Sequence, residues 1–226
     1  MDLRDALRTT GSVRSFTTDP VSDDDLAAVL DDARFAPSGG NRQGWRVAIV
    51  KDQALRRSLG DLMRPVWDEY VLIAGTGRTP FTAVEAGEYT LNAQGAGVVP
   101  NDLIEMIETV PAVLIVAVDL GKVSLMDKDL DRPAMVGGGS VYPFCWSILL
   151  AARERGLGGV ITTFLSRAEP AAAPLLGLPN GHALCASIFL GHPVKQPTKL
   201  SRKPVSAFTT VDRFDGVVFD GVTFGG

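Results

Sequence analysis

The sequence predicts an α+β fold with helices on both sides of a small sheet. Three observations lead to it. Four short apolar stretches read as strands, at residues 45–50, 111–118, 159–163 and 182–190, and they alternate with helical stretches. One of them, 111–118, is apolar at nearly every position, as expected of a strand buried on both faces. No linker and no internal repeat divides the 226 residues, so residues 1–226 are expected to form a single domain.

Each element has a local reason. Residues 2–9 place Leu3 and Leu7 on one face, which predicts a short amphipathic helix broken at Gly11. Ser22 is an N-cap for a second helix with Leu26, Val29, Leu30 and Ala33 on one face. Its first turn carries Asp23, Asp24 and Asp25, which suit the helix dipole, and it must stop before Pro37. A Gly-rich polar loop, 36–44, precedes the strand that starts at Trp45. Asp52 caps a helix expected to reach about Met63. Residues 64–100 carry glycines that break any long period, and they read as a helical excursion with loops. A short helix at 101–108 leads into the 111–118 strand. Ser140 is read as the cap of the most apolar helix, 141–155, with Pro143 in its first turn and Gly156 closing it. An Ala-rich helix at 169–176 precedes the last strand. The tail has two Asp-Gly turns, Asp215-Gly216 and Asp220-Gly221.

Composition removes whole classes of function. The chain has two histidines (His182, His192) and two cysteines (Cys145, Cys185), too few for a His/Cys metal centre or a disulfide framework. No metal site is expected. The net charge of −4 and pI near 5.2 argue against a nucleic-acid binder. No apolar run is long enough to span a bilayer, and the first residues lack the apolar core of a signal peptide. A cytoplasmic protein with two buried, reduced thiols is expected. There is no G-x-G-x-x-G after a strand, no phosphate-binding G-x-x-x-x-G-K-[ST], and no G-x-S-x-G elbow.

Four segments remain as candidates, each irregular, at an element end, and rich in small, polar or cationic residues. They are 12–16, 37–45, 156–163 and 199–204. Arg14, Arg202 and Lys203 suit a phosphate, with Ser12 adding a hydroxyl. Ser38, Asn41 and Gln43 offer groups for the edge of a polar heterocycle, and Gly39 and Gly40 allow close backbone approach.

In this order the segments resemble the FMN-dependent nitroreductase family. The match rests on S-x-R-x-F (Ser12, Arg14, Phe16), A-P-S-G-G-N-R-Q-G-W at 36–45, P-A-V-L-I-V at 111–116, G-L-G at 156–158, and Arg202, Lys203 and Pro204. The resemblance implies a three-layer fold with a small mixed or antiparallel sheet and an intertwined homodimer holding FMN at the interface. It implies that Ser12, Arg14, Arg202 and Lys203 bind the phosphate and ribityl side. It implies that Pro37, Ser38, Gly39, Asn41 and Gln43 reach the flavin from the partner chain. Ile161, Thr162 and Thr163 would lie beside the ring, with a backbone N–H of Thr162 or Thr163 near N5. The 64–100 excursion would roof the substrate site, and 206–226 would wrap the partner. The implied activity is NADH- or NADPH-dependent reduction of a nitroaromatic, quinone or similar flat electron acceptor, by ping-pong hydride transfer through N5. Two alternatives stay open: a specialised family member (flavin fragmentation, dehalogenation or azoline dehydrogenation) and a non-catalytic flavin store. The chain departs from the family pattern at Thr10 and Gly11, where many members carry arginine, and at Gly44, where many carry proline.

Overall fold

The computed structural model describes residues 1–83 and 102–220. The second half of the expected excursion, Asn101, and the end of the tail with Gly221 lie outside them.

Caps and periodicity place the helices much as the sequence predicts. Helix α1 (Leu3–Thr9) is capped by Asp2, which accepts from the Asp5 N–H. Helix α2 (Asp23–Ala33) is capped by Ser22, whose Oγ accepts from the Asp25 N–H at 3.0 Å. Strand β1 (Trp45–Ile49) leads to α3 (Gln53–Gly75), capped by Asp52. After α4 (Asp102–Glu105) come β2 (Ala112–Asp119), α5 (Tyr142–Glu154), β3 (Gly158–Thr162), α6 (Phe164–Arg167), α7 (Glu169–Leu176) and β4 (His182–Gly191).

The sheet has four strands in the order β1-β2-β4-β3, and every neighbouring pair is antiparallel. Side-chain alternation along β2 divides the core. Leu114, Val116 and Val118 face α2 and α5, together with Val29, Phe144 and Ile148. Val113, Ile115 and Ala117 face α3, α4, α6 and α7, together with Leu59, Met63 and Leu165. Three layers result, and β2 is buried on both faces, as its apolar run requires. Each fully buried Leu, Ile or Phe in these clusters contributes about 1.5–3 kcal/mol of transfer free energy. Between Val116 and Ala117 the register with β4 slips, from Ala186 to Leu184, which leaves Cys185 as the extra residue of a bulge. The described residues thus form an α+β three-layer arrangement, with a sheet that is wholly antiparallel.

Three local expectations are corrected. Helix α3 does not end near Met63 but runs through Pro65 to Gly75. Proline removes one backbone donor and strains the preceding turn. Here the second half of α3 buries Val66 and Ile73, and tertiary packing outweighs that local cost. Ser140 does not cap α5. It ends a 3₁₀ turn (Val136–Ser140), and its hydroxyl instead accepts from the Gly39 N–H at 3.1 Å. Finally, α6 lies between β3 and α7, where the sequence showed no helix signal.

Close packing of β3 depends on glycine. A Cβ on Gly159 would lie 2.5 Å from Leu190 Cδ2 and 2.7 Å from Leu149 Cδ2, so only hydrogen lets this strand sit between β4 and α5. No described helix is long and apolar enough to cross a membrane.

Candidate active site

The polar segment after α1 does not wander as a loop. The Val13 N–H donates to the Gly159 carbonyl at 2.9 Å, and the Val194 N–H donates to the Ser15 carbonyl at 3.0 Å. Phe16 pairs with Pro193. These bonds lay 13–17 along the open edge of β3 and the chain that follows β4, and they hold Arg14 beside the strand end. Because Gly159 turns its backbone outward to Val13, the two-residue repeat of a strand turns Ile161 and then Thr163 the same way. Thr162 faces inward and pairs with Ser187 of β4. An N–H directed outward at this edge therefore belongs to Ile161 or Thr163, and not to Thr162.

Arg14, Ile161, Thr162 and Thr163 come together on one cavity of about 490 Å³, which Val160, Phe164, Trp67 and Tyr70 complete. The volume is of the size that holds a small-molecule cofactor or substrate. Its aromatic wall is a cluster. Trp67 and Tyr70 stack at 5.6 Å, and Phe164 meets both edge-on, at 5.7 and 5.8 Å. Trp67 and Tyr70 sit one turn apart on the part of α3 beyond Pro65, and Phe164 opens α6. Sequence reasoning missed all three. The signal was an i, i+3 aromatic pair, hidden by a proline that ordinarily ends a helix.

The cationic groups are only partly assembled. The Arg14 side chain has no hydrogen-bond or ion-pair partner among the described residues, and it is exposed. Among the described residues Arg202 donates only to the Ser201 carbonyl, at 2.7 Å, and neither it nor Lys203 lines the cavity. Their segment is nonetheless drawn toward Arg14. Gln196 Nε2 donates to the Thr9 carbonyl at 3.3 Å, and a Cβ on Gly11 would lie 2.8 Å from Leu200 Cδ2. The departure at Thr10 and Gly11 has its reason here. Thr10 is buried, and Gly11 leaves room for Pro197 and Leu200. Two buried polar atoms of this junction, Thr10 Oγ1 and Gln196 Oε1, have no partner among the described residues.

The 37–43 loop stands apart from this cavity, and none of Pro37, Ser38, Gly39, Asn41 or Gln43 lines it. It is nonetheless tightly held. Ser38 Oγ accepts from the Gln43 N–H at 2.9 Å, Gln43 Nε2 donates to Asn41 Oδ1 at 3.0 Å, and Arg42 donates to the Gly39 carbonyl at 3.1 Å. Gly40, Asn41 and Gln43 all take left-handed conformations, with φ of 61°, 52° and 47°. Side-chain-bearing residues hold such angles only where surrounding contacts fix them. Both loop ends are anchored on the α5 region, by Ser140 and by Trp45, which stacks on Phe144 at 4.7 Å. The result is a rigid, outward-facing polar hook.

Other polar groups have structural tasks. Arg56 is buried, and it donates to the carbonyls of Val50 and Val110 at 2.8 and 2.7 Å. It lines a separate cleft of about 360 Å³, where those carbonyls occupy its donors. Burial pushes the Cys145 thiol up to about 12 and the Cys185 thiol up to about 11, so neither is a ready thiolate. Among the described residues no group of three His, Cys, Asp or Glu could hold a metal ion.

The residues present fit a flat heterocycle with a phosphate tail. Arg14 supplies an unpaired cation, residues 160–163 supply an outward strand edge, and Trp67, Tyr70 and Phe164 supply an aromatic wall.

Comparison with known proteins agrees with this geometry. Residues 7–192 match the Nitroreductase family. The chain belongs to that family. Among curated relatives, an NADH dehydrogenase of Thermus thermophilus is 25% identical over 214 residues, which are 91% of this chain and 93% of the relative. A nitrobenzene nitroreductase of Ectopseudomonas oleovorans is 24% identical over 195 residues, covering 83% and 85% of the two chains. Among solved structures, an NADPH:FMN oxidoreductase from Vibrio harveyi complexed with NAD+ aligns with TM-score 0.62 at 19% identity, covering 90% of this chain and 73% of that one. A nitroreductase-like family protein from Bacillus cereus aligns with TM-score 0.64 at 19% identity, covering 93% and 96%. The protein is accordingly an oxidoreductase of the nitroreductase type.

Proposed function

We propose that this protein is an FMN-dependent NAD(P)H oxidoreductase that reduces nitroaromatics, quinones or similar flat electrophiles in a ping-pong cycle. The observation that carries this reading is the meeting of an unpaired Arg14 with the outward edge of residues 161–163 at one aromatic-walled cavity. When bound, FMN supplies hydride chemistry at N5, accepting from NADPH or NADH and delivering to the second substrate.

The chain's own residues bind and orient. Arg14, Arg202 and Lys203 hold the phosphate, and Ser12 adds a hydroxyl donor. The N–H of Ile161 or Thr163 faces the reactive edge of the ring and favours negative charge there. Trp67, Tyr70 and Phe164 give a flat apolar wall that excludes water from the transfer path. Among the described residues the cavity lining includes no carboxylate and no imidazole, and positioning is what these residues offer.

The second half of the site comes from a partner copy. Ser38, Gly39, Asn41 and Gln43 form a rigid hook that touches nothing in its own cavity, which suits delivery into a neighbour's. The tail points the same way. Backbone bonds close a hairpin in it, Val211 N–H to the Val217 carbonyl at 2.8 Å and Phe219 N–H to the Thr209 carbonyl at 2.9 Å. A lone hairpin is marginal in water. This one leaves Phe214 106% exposed, and a partner surface would cover it. We assign the protein to the cytoplasm.

A visible spectrum of the purified protein, recorded before and after NADPH, tests the reading. A flavin band is expected, bleached by NADPH and restored by a quinone or nitroarene. A protein that binds flavin but is not bleached would be a store instead. A protein that is bleached but reoxidised by no quinone or nitroarene would be a specialised member of the family.

A further inference from the structure

Besides the aromatic contacts of Phe164, a charged pair ties α3 to α6. Arg167, the last residue of α6, forms a two-pronged ion pair with Glu69 of α3. Its Nη2 lies 2.8 Å from Oε1, and its Nε lies 3.1 Å from Oε2. The same guanidinium lies 4.4 Å over the ring of Phe81. Phe81 in turn meets Tyr70 at 6.3 Å and has a left-handed backbone, φ 55°. Such an angle in a phenylalanine persists only when contacts over-determine it. Most exposed ion pairs do little, but a bidentate pair stacked on a ring is the geometry that holds. Glu69 is next to Tyr70, and Arg167 is one turn from Phe164, so the pair bridges the two elements that carry the aromatic wall.

We propose that Arg167 is a positioning residue: its latch onto Glu69 and Phe81 fixes the α3 roof over the cavity and thereby sets how tightly a flat aromatic acceptor is held. The inference rests on the reading of this cavity as the acceptor site. Arg167 itself lines no part of the cavity, so it acts through Tyr70 and Phe164.

The test compares wild type with Arg167→Met and with the charge-swapped pair Glu69→Arg/Arg167→Glu. In protein freed of flavin, amide exchange over residues 66–75 is followed by mass spectrometry, with and without menadione. Arg167→Met is expected to exchange this stretch about fivefold faster and to lose the protection that menadione gives the wild type. The swapped pair should restore at least half of both effects. In protein loaded with FMN, KM for menadione should rise threefold or more while kcat stays within twofold. Unchanged exchange in Arg167→Met overturns the latch. Absence of menadione protection in the wild type, or unchanged protection or KM in the variant, overturns its role at the site. Failure to take up FMN would sink the flavin reading alone, because exchange and menadione protection are measured without it.

Discussion

Arg14 and Arg56 both lack a carboxylate partner among the described residues, and their surroundings give them different tasks. Arg56 is 5% exposed, and its guanidinium ties the start of α3 to the chain around β1 and β2 through backbone carbonyls. Arg56→Met removes those donors and leaves buried carbonyls unmet. It should lower stability by about 2–3 kcal/mol in urea unfolding. Arg14 is exposed at a cavity, where its charge is free for a ligand. Arg14→Ala and Arg202→Ala should each weaken FMN binding by about 1.5–3 kcal/mol, read by flavin fluorescence titration. Unchanged affinity in both variants would remove these residues from the phosphate site. Asp127 is a third case. It accepts from the Met135 N–H at 2.8 Å and from Arg132 at 2.6 Å, and these bonds hold its carboxyl down at about 2, against an ordinary 3.8. A depressed carboxyl stabilises the fold above its unfolded value, and that contribution is lost as pH falls from about 4 through about 2. Thermal unfolding should therefore decline faster over that window in wild type than in Asp127→Asn, which starts lower. Parallel curves would refute this.

At the scale of elements, β3 is the part that converts packing into site geometry. Its glycines let it lie against Leu149 and Leu190, and its outer edge then receives Val13 and faces the cavity. Gly159→Ala should cost about 1–3 kcal/mol by overpacking and should weaken flavin binding as well, because the strand end shifts. Full flavin affinity in a destabilised Gly159→Ala protein would separate the strand from the site. The 36–44 loop was legible as a polar, glycine-rich segment, but its anchor was not. Ser140 reads as a helix cap from sequence, since a serine before an apolar helix usually is one. It bonds instead to an amide 101 residues away, a partner that no local pattern encodes. The end of α3 was misplaced for a similar reason, since the burial of Val66 and Ile73 that carries the helix through Pro65 depends on residues far along the chain.

Over the whole molecule, the exposed apolar surface is what the single chain leaves unresolved. Leu3, Phe35, Met126 and Phe208 are all exposed, and the 210–218 hairpin has no bonds to the body among the described residues. Truncation after residue 204 should weaken a dimer, measured by sedimentation at decreasing concentration. The shortened chain should lose flavin affinity along with the dimer if the hook of one copy completes the other's site. Retention of both would place the tail outside assembly.

By itself the sequence determined the α+β class, the order of strands along the chain, the caps at Ser22 and Asp52, and the segments that hold Arg14 and residues 161–163. These are read from periodicity and from groups close in sequence, whose physics is local. Tertiary structure alone decided that Trp67, Tyr70 and Phe164 form one wall, that Thr163 or Ile161 rather than Thr162 turns its N–H outward, and that Gly11 makes way for Leu200. Each depends on which strand is at the sheet's edge and on what packs against it. Those contacts are made by residues far apart in the chain, and their energy exists only after the layers have closed.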